Sequence, residues 1–187
     1  MQSVNNVIVI GPPRSGTSVV ARLLQDNLGV MMDEGPIQKD EGNPLGYYED
    51  HRVTNIFNGL ISRWKMGKAQ VNKIDPVWAI EFSKWVVYRS MKYKLCGFKE
   101  PRCVGVLGWV TQFFKDARWI VCDRSDEQII KSQVDKTNVP NEQIAAIGLK
   151  AYRDLIKKNL KSYHLIDLTY RQNEDDLTDR LWTIING

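Results

Sequence analysis

The chain has 187 residues, 43% apolar and 26% charged, which is the make-up of one soluble globular domain, 1–187, with a substantial core. Its 26 basic and 22 acidic residues leave a net charge of +4, a mild excess that suits a small anionic ligand and contains no basic block of the kind a nucleic acid needs. Two histidines and three cysteines without metal-ligand spacing argue against a metal site. The absence of a long apolar run argues against a membrane span.

The first element sets the rest. Val7 to Ile10 is an unbroken β-branched run, as expected of a strand buried on both faces. Gly11, Pro12, Pro13 and Gly16 break it into a loop. After Thr17 the spacing of Val19, Val20, Leu23, Leu24 and Leu28 is helical, with Gly29 as a stop. A loop that feeds its backbone N–H groups into a helix N-terminus is an anion cradle, because the unpaired donors and the positive end of the helix dipole coincide. Arg14 adds a cation there, and Ser15, Thr17 and Ser18 add hydroxyls. The spacing is that of a P-loop, Gly-x4-Gly, but Thr17-Ser18 stands where Lys-Ser/Thr is expected. With the cation moved to Arg14, the loop suits an anion that needs no obligatory metal.

Leu28 to Asn43 is loop-like and acidic, with Asp33, Glu34, Asp40 and Glu41. Asn43 to Asp50 forms a turn into a helix through Val53, Ile56, Phe57, Leu60, Ile61 and Trp64. A second helix spans Pro76 to Met91 and carries Trp78, Phe82, Trp85, Val86 and Tyr88 as an aromatic stripe. Leu95 to Phe98 reads as a strand that ends in Lys99-Glu100-Pro101-Arg102, where proline stops the ladder. Val104 to Phe114 reads as helix, and Trp119 to Cys122 as a third strand ending at Asp123-Arg124. Ser125-Asp126 caps a helix with Ile129, Ile130, Gln133 and Val134. Pro140 opens a long amphipathic helix with Ile144, Ile147, Tyr152, Leu155, Ile156 and Leu160. Tyr163 to Leu168 is a fourth strand. The last helix follows Glu174 to Asp176 and places Leu177, Leu181, Trp182, Ile184 and Ile185 inside.

Strands alternating with helices predict an α/β fold: three layers, α/β/α, around a central parallel sheet, P-loop NTPase-like. Ligands in such sheets sit beyond the carboxyl ends of the strands. Arg14, Lys99 with Arg102, and Arg124 all fall at those ends and are expected to converge. The cysteines Cys96, Cys103 and Cys122 read as reduced, mostly buried thiols. The first strand begins too early to leave room for a signal peptide, so a cytoplasmic protein is expected.

Pro13-Arg14-Ser15-Gly16-Thr17-Ser18 resembles the 5′-phosphosulfate loop of sulfotransferases that use 3′-phosphoadenosine 5′-phosphosulfate (PAPS). Trp119 to Arg124, followed by Ser132, resembles their 3′-phosphate motif, in which an arginine closes a strand and a serine sits on the next helix. Lys99-Glu100-Pro101-Arg102 is similar to a Lys-Asp/Glu-Pro-Arg element of bacterial members. Asn43-Pro44-Leu45-Gly46-Tyr47-Tyr48-Glu49-Asp50 is similar to another of their stretches. The match runs from Val7 to Ser132. It departs at Ser125, where the family more often has Asp or Asn, and in lacking the proline that usually follows.

The resemblance implies PAPS as cosubstrate and adenosine 3′,5′-bisphosphate as product. Its phosphates would be held by Arg14, Ser15, Gly16, Thr17, Ser18, Arg124 and Ser132. Lys99, or Arg14 with it, would stabilise the charge that develops as the sulfuryl group departs. The base that takes the acceptor's proton would be Glu49, with Glu34 and then His51 as competitors. The acceptor would be a small molecule or glycan carrying a hydroxyl. Tyr170 and Arg171 are candidates for the adenine contacts. Trp64, Trp78 and Trp85 either line an acceptor pocket or, at helical spacing, pack in the core. Two other functions compete. One is a P-loop kinase of nucleotides or small molecules, which lacks its lysine here and has only Asp123 as a strand-end ligand for magnesium. The other is a catalytically silent nucleotide-binding protein.

Overall fold

The computed structural model describes residues 5–34, 46–61, 74–137, 139–170 and 172–187. Four strands, β1 (Asn5–Ile10), β2 (Leu95–Lys99), β3 (Arg118–Asp123) and β4 (His164–Asp167), form one sheet in the order β2-β1-β3-β4. Every pairing is parallel, with Val9 beside Lys99, Ile10 beside Val121 and Asp123 beside Asp167. A single parallel bridge at Met31 extends the β2 edge, where Met31 donates to Leu95 O at 3.2 Å and accepts from Gly97 N at 2.9 Å.

Among the described residues, seven α-helices connect and cover the strands: α1 (Thr17–Asp26), α2 (His51–Ile61), α3 (Pro76–Lys92), α4 (Leu107–Val110), α5 (Asp126–Lys136), α6 (Glu142–Asn159) and α7 (Glu174–Asn186). Val7 and Val9 of β1 pack with α1 and α7 on one face, and Ile8 and Ile10 with α2, α3, α4 and α6 on the other. All four are fully buried, which is why the strand reads as continuous hydrophobicity and not as alternation. This is the three-layer α/β/α arrangement expected from the sequence. Trp85 is buried, and Trp78 packs partly buried against the same core cluster. The three cysteines are free and buried. No helix among the described residues is long and apolar enough to cross a membrane.

Several expectations need correction. The helix expected over Val104 to Phe114 is instead a 3₁₀ turn, Pro101–Val106, running into the four-residue α4. Pro101 opens that turn, the Glu100 carboxylate accepts from Arg102 N, and Gly105 and Gly108 weaken a longer α-helix. Trp182 is 57% exposed, because it lies off the Leu177–Leu181–Ile185 seam of α7. Ile144 and Ile147 of α6 are also exposed. Trp64, Arg171 and the Asn43-Pro44-Leu45 part of the family-like stretch lie outside the described residues.

Gly97 shows how closely the β2 edge is packed. A Cβ there would stand 1.9 Å from Val7 O, a backbone atom that cannot turn aside. Gly97→Ala should therefore destabilise the fold by about 3 kcal/mol, at the upper end for overpacking, as read from the midpoint of urea unfolding. An unchanged midpoint would mean that the two strands are not so close.

Candidate functional site

The loop after β1 is shaped by two left-handed residues, Arg14 at φ 75° and Gly16 at φ 91°. Ser15 N donates to Pro12 O at 3.0 Å and closes the turn. Gly16 is needed twice over, since a Cβ there would also meet Leu168 Cδ1 at 2.5 Å. Gly11 lets the chain pass β3, because a Cβ there would stand 2.4 Å from Cys122 O. Its N–H donates to the buried Tyr152 hydroxyl at 3.3 Å, and that hydroxyl donates in turn to Pro101 O at 2.8 Å. Tyr152 thereby ties the loop to the segment that follows β2.

α1 begins without a cap. Gly16 is its N-cap and supplies no side-chain bond, and the first turn has no acidic residue. The ladder starts with Val19 N donating to Gly16 O at 3.0 Å, so the earlier N–H groups have no acceptor within the helix. By contrast α3, α5, α6 and α7 are capped by Asp75, Ser125, Asn141 and Asn173. The Ser15 hydroxyl is fully buried and has no hydrogen-bond partner among the described residues. Thr17 is buried and Ser18 half-buried in the same first turn. Among the described residues, the Ser15 hydroxyl and the first N–H groups of α1 have no acceptor, which is the chemistry of an anion site.

The loop meets α5. Arg14 Nε donates to Ser132 Oγ at 3.0 Å, and Gln133 Nε2 donates to Pro13 O at 3.0 Å. Two residues read separately from the sequence, 118 positions apart, are therefore in contact. Arg124 closes β3 and donates from Nε to Gln128 Oε1 at 3.0 Å, one helical turn before Ser132. Gln128 also donates to Thr169 O at 3.1 Å, linking α5 to the loop after β4. Arg153 of α6 holds Asp123 at 2.8 and 3.0 Å and Asp126 at 2.5 Å, so Asp123 is paired with a guanidinium.

The end of β2 carries the second charged group. Lys99 is 2% exposed and donates from Nζ to Glu49 Oε1. Arg102 grips Glu100 through Nε and Nη2, both at 2.6 Å, donates to Asn58 Oδ1 at 2.5 Å, and stands 3.7 Å from Glu49 Oε2. Burial pushes the Lys99 ammonium below its ordinary pKa, against the pull of Glu49. Burial pushes the Glu100 carboxyl up, against the pull of Arg102. Two cations and two carboxylates thus balance beside β1, and the lysine head is oriented by Glu49.

Glu34 belongs to a different cluster. Arg89, 2% exposed, donates from Nη2 to Met31 O and, at 3.1 Å, to Gly97 O. Its Nη1 reaches Glu34 at 3.4 Å and Asp50 at 3.6 Å. Glu34 also accepts from Tyr88 at 3.0 Å and Lys92 at 3.3 Å. This clamp fixes the Met31 bridge to β2. Burial alone would raise the Glu34 pKa, but hydrogen bonds from Tyr93, Tyr88 and Lys92, with the charge of Arg89, hold it below 4.5. Such a group stabilises the fold above its unfolded value, and that stability is lost as pH falls through the folded value. Glu34→Gln should lower the thermal midpoint at pH 7 and flatten its decline below pH 4.5, the ordinary value. A midpoint unchanged at both pH values would contradict the clamp. Asp33 beside it is buried, with Oδ2 unpartnered, and burial raises its pKa.

His51 opens α2 and is exposed, as is Tyr170. The sequence reading missed the hydroxyl of Tyr152, the amide of Gln133, and Arg89, Asp50 and Arg153. Tyr152 and Gln133 sit on apolar stripes, where periodicity registers their burial and not their polar atoms. Arg89 left a trace: a charged residue four positions past Trp85, on the buried face of α3.

No protein-family model matches the chain, and no curated protein matches it. Among solved structures, a deoxyadenosine kinase from M. mycoides with bound dATP superposes with a TM-score of 0.53 at 11% identity, covering 97% of this chain and 100% of its own. A sugar kinase from Janibacter sp. HTCC2649 gives 0.55 at 16% identity, over 98% and 95%. A sulfotransferase from Mycobacterium tuberculosis gives 0.45 at 17% identity, over 98% of this chain and 66% of its own, too distant to carry weight. At these identities the likeness concerns the fold, and together with the parallel sheet and its helices it makes this a P-loop NTPase-like α/β chain.

Proposed function

We propose that the chain is a sulfotransferase, moving a sulfuryl group from PAPS to a hydroxyl or amine acceptor by in-line transfer. One observation supports this above the others: Arg14, the cation that replaces the P-loop lysine, touches Ser132 at 3.0 Å. The loop motif and the 3′-phosphate motif thus share one side of the site, as a bisphosphorylated nucleotide requires. The donor set fits that ligand. Among the described residues the Ser15 hydroxyl has no partner and the first turn of α1 has no side-chain cap, and Arg14 brings a guanidinium to the same loop.

In the reaction the bond from sulfur to the acceptor oxygen forms as the bond from sulfur to the 5′-phosphate oxygen breaks. The electron pair stays on the departing adenosine 3′,5′-bisphosphate, and the acceptor's proton goes to a base. Lys99 offsets the charge growing on the leaving oxygen, with Arg14 at the loop side. Glu49, the carboxylate in contact with Lys99, takes the proton. Glu49→Gln should leave affinity for adenosine 3′,5′-bisphosphate intact and lower turnover by about 10²- to 10⁴-fold. If Glu34→Gln does this instead, the base is Glu34.

The second reading is a P-loop kinase, whose fold this chain shares. Against it stand Thr17 in the lysine's place and the pairing of Asp123, its candidate magnesium ligand, with Arg153. The test is label transfer. Sulfate label passing from PAPS to an acceptor supports the proposal. Phosphate label passing from Mg-ATP supports the kinase, and bisphosphate binding without any transfer supports a silent binding protein.

A further inference from the structure

Beside the loop lies a cavity of about 400 Å³ that the reaction above leaves without an occupant. Pro12, Pro13 and Pro101 form one wall and α6 the other, with Tyr152 between them. Arg102 and Gln133 are its charged and amide-bearing wall residues, and the remainder of the lining is almost wholly apolar. Both polar residues belong to the site already described: Arg102 stands 3.7 Å from Glu49, and Gln133 holds Pro13 O at 3.0 Å. The cavity therefore shares Arg102 as a wall residue with the group that holds Glu49. A volume of this size falls within the range of small-molecule sites, which are mostly apolar with a few polar groups that fix orientation.

Gly148 is the informative residue. It sits inside the 18-residue α6, where glycine is among the least favourable choices. Among the described residues, a Cβ there would meet no atom within 4 Å beyond its own stretch of helix. What the missing side chain leaves is room in the cavity wall. Ile147, next to it in the lining, is 60% exposed although apolar. An empty wall and an unburied isoleucine beside the same space fit a guest with an apolar body.

We infer that this cavity receives the acceptor, and that the acceptor is an alcohol or phenol on an apolar body, not a free sugar. This rests on the group-transfer reading above for the reaction, but not for the binding. The apolar body lies against α6 and the prolines, and its hydroxyl faces the Arg102–Glu49 side. There the oxygen gains the sulfuryl group and gives its proton to Glu49.

Isothermal titration of the full chain with 2-naphthol, with and without adenosine 3′,5′-bisphosphate, tests this. The wild type should bind saturably. Gly148→Trp, which plugs the cavity, should bind at least tenfold more weakly, and Gly148→Ala should differ by less than twofold. Gly148→Leu is the second plug should the tryptophan variant fail to fold. Affinity for the bisphosphate should be unchanged in all of them, and glucose should not bind. No naphthol binding in the wild type, equal binding in a folded plugged variant, or glucose binding abolished by the plug would overturn the inference. Naphthol binding that depends on position 148 without sulfate transfer supports the cavity and removes the sulfotransferase. Transfer to acceptors that the plug leaves unaffected does the reverse.

Discussion

Lys99→Met is expected to reduce turnover by about 10³-fold, since loss of one preorganised charged donor at an anionic leaving group has an effect of that order. Its affinity for adenosine 3′,5′-bisphosphate should change by less than threefold. Lys99 ends a strand beside β1, is almost fully buried, and is aimed by Glu49. Away from water its charge acts more strongly than it would on the surface, and no reorganisation is needed when the leaving oxygen becomes anionic. Methionine keeps the stem and removes the charge. Among the described residues the variant leaves Glu49 the more distant Arg102, at 3.7 Å, so it should unfold at lower urea. Circular dichroism and the bisphosphate affinity therefore accompany the kinetics. Lys99→Arg should restore stability better than rate, because a planar guanidinium cannot place one donor where the ammonium stood. Turnover within threefold of wild type in Lys99→Met would remove Lys99 from the mechanism.

Arg14→Ala should weaken adenosine 3′,5′-bisphosphate binding by about 100-fold, since hydrogen bonds to a charged group contribute about 1.5–3 kcal/mol. The substitution isolates the guanidinium. Arg14 has φ 75°, and alanine bears the same left-handed strain as arginine, so the loop's shape is not relieved by the change. Ser132 supports Arg14 from α5, and Ser132→Ala should weaken binding less than Arg14→Ala does. Arg124→Ala tests the other end of the nucleotide. It should also weaken binding, by about tenfold or more, through loss of a bidentate cation at the end of β3. Higher salt should weaken the wild type more than the Arg14 variant, because fewer charges then remain to be screened. Unchanged affinity in both arginine variants would remove the site assignment.

Much of this is legible in the sequence alone. The β-branched run of β1, the two glycines of the loop and the helical spacing after Thr17 agree with one another, and together they set the strand, the turn and the uncapped helix end. Ser125 announced the start of α5 because a serine before an acidic turn has one good structural use. What stayed hidden depends on partners distant in sequence. Lys99 and Glu49 were each identified from local motifs, yet their contact spans 50 positions and follows from how α2 enters against β2. The Met31 bridge rests on a single pairing and on Arg89, so the segment read as plain loop. The 3₁₀ turn after β2 imitates helical spacing over too few residues to be told apart. The exposed isoleucines of α6 complete an amphipathic pattern on paper, but the space they face is a cavity and not a packed core.

Binding of adenosine 3′,5′-bisphosphate against Mg-ATP, measured on the wild type by calorimetry with and without the metal, tests the central claim most directly. The bisphosphate should bind at least tenfold more tightly than ATP, and chelation of magnesium should not alter its affinity. Magnesium-dependent ATP binding, with no heat from the bisphosphate, would contradict the sulfotransferase and return the chain to the kinases whose fold it shares.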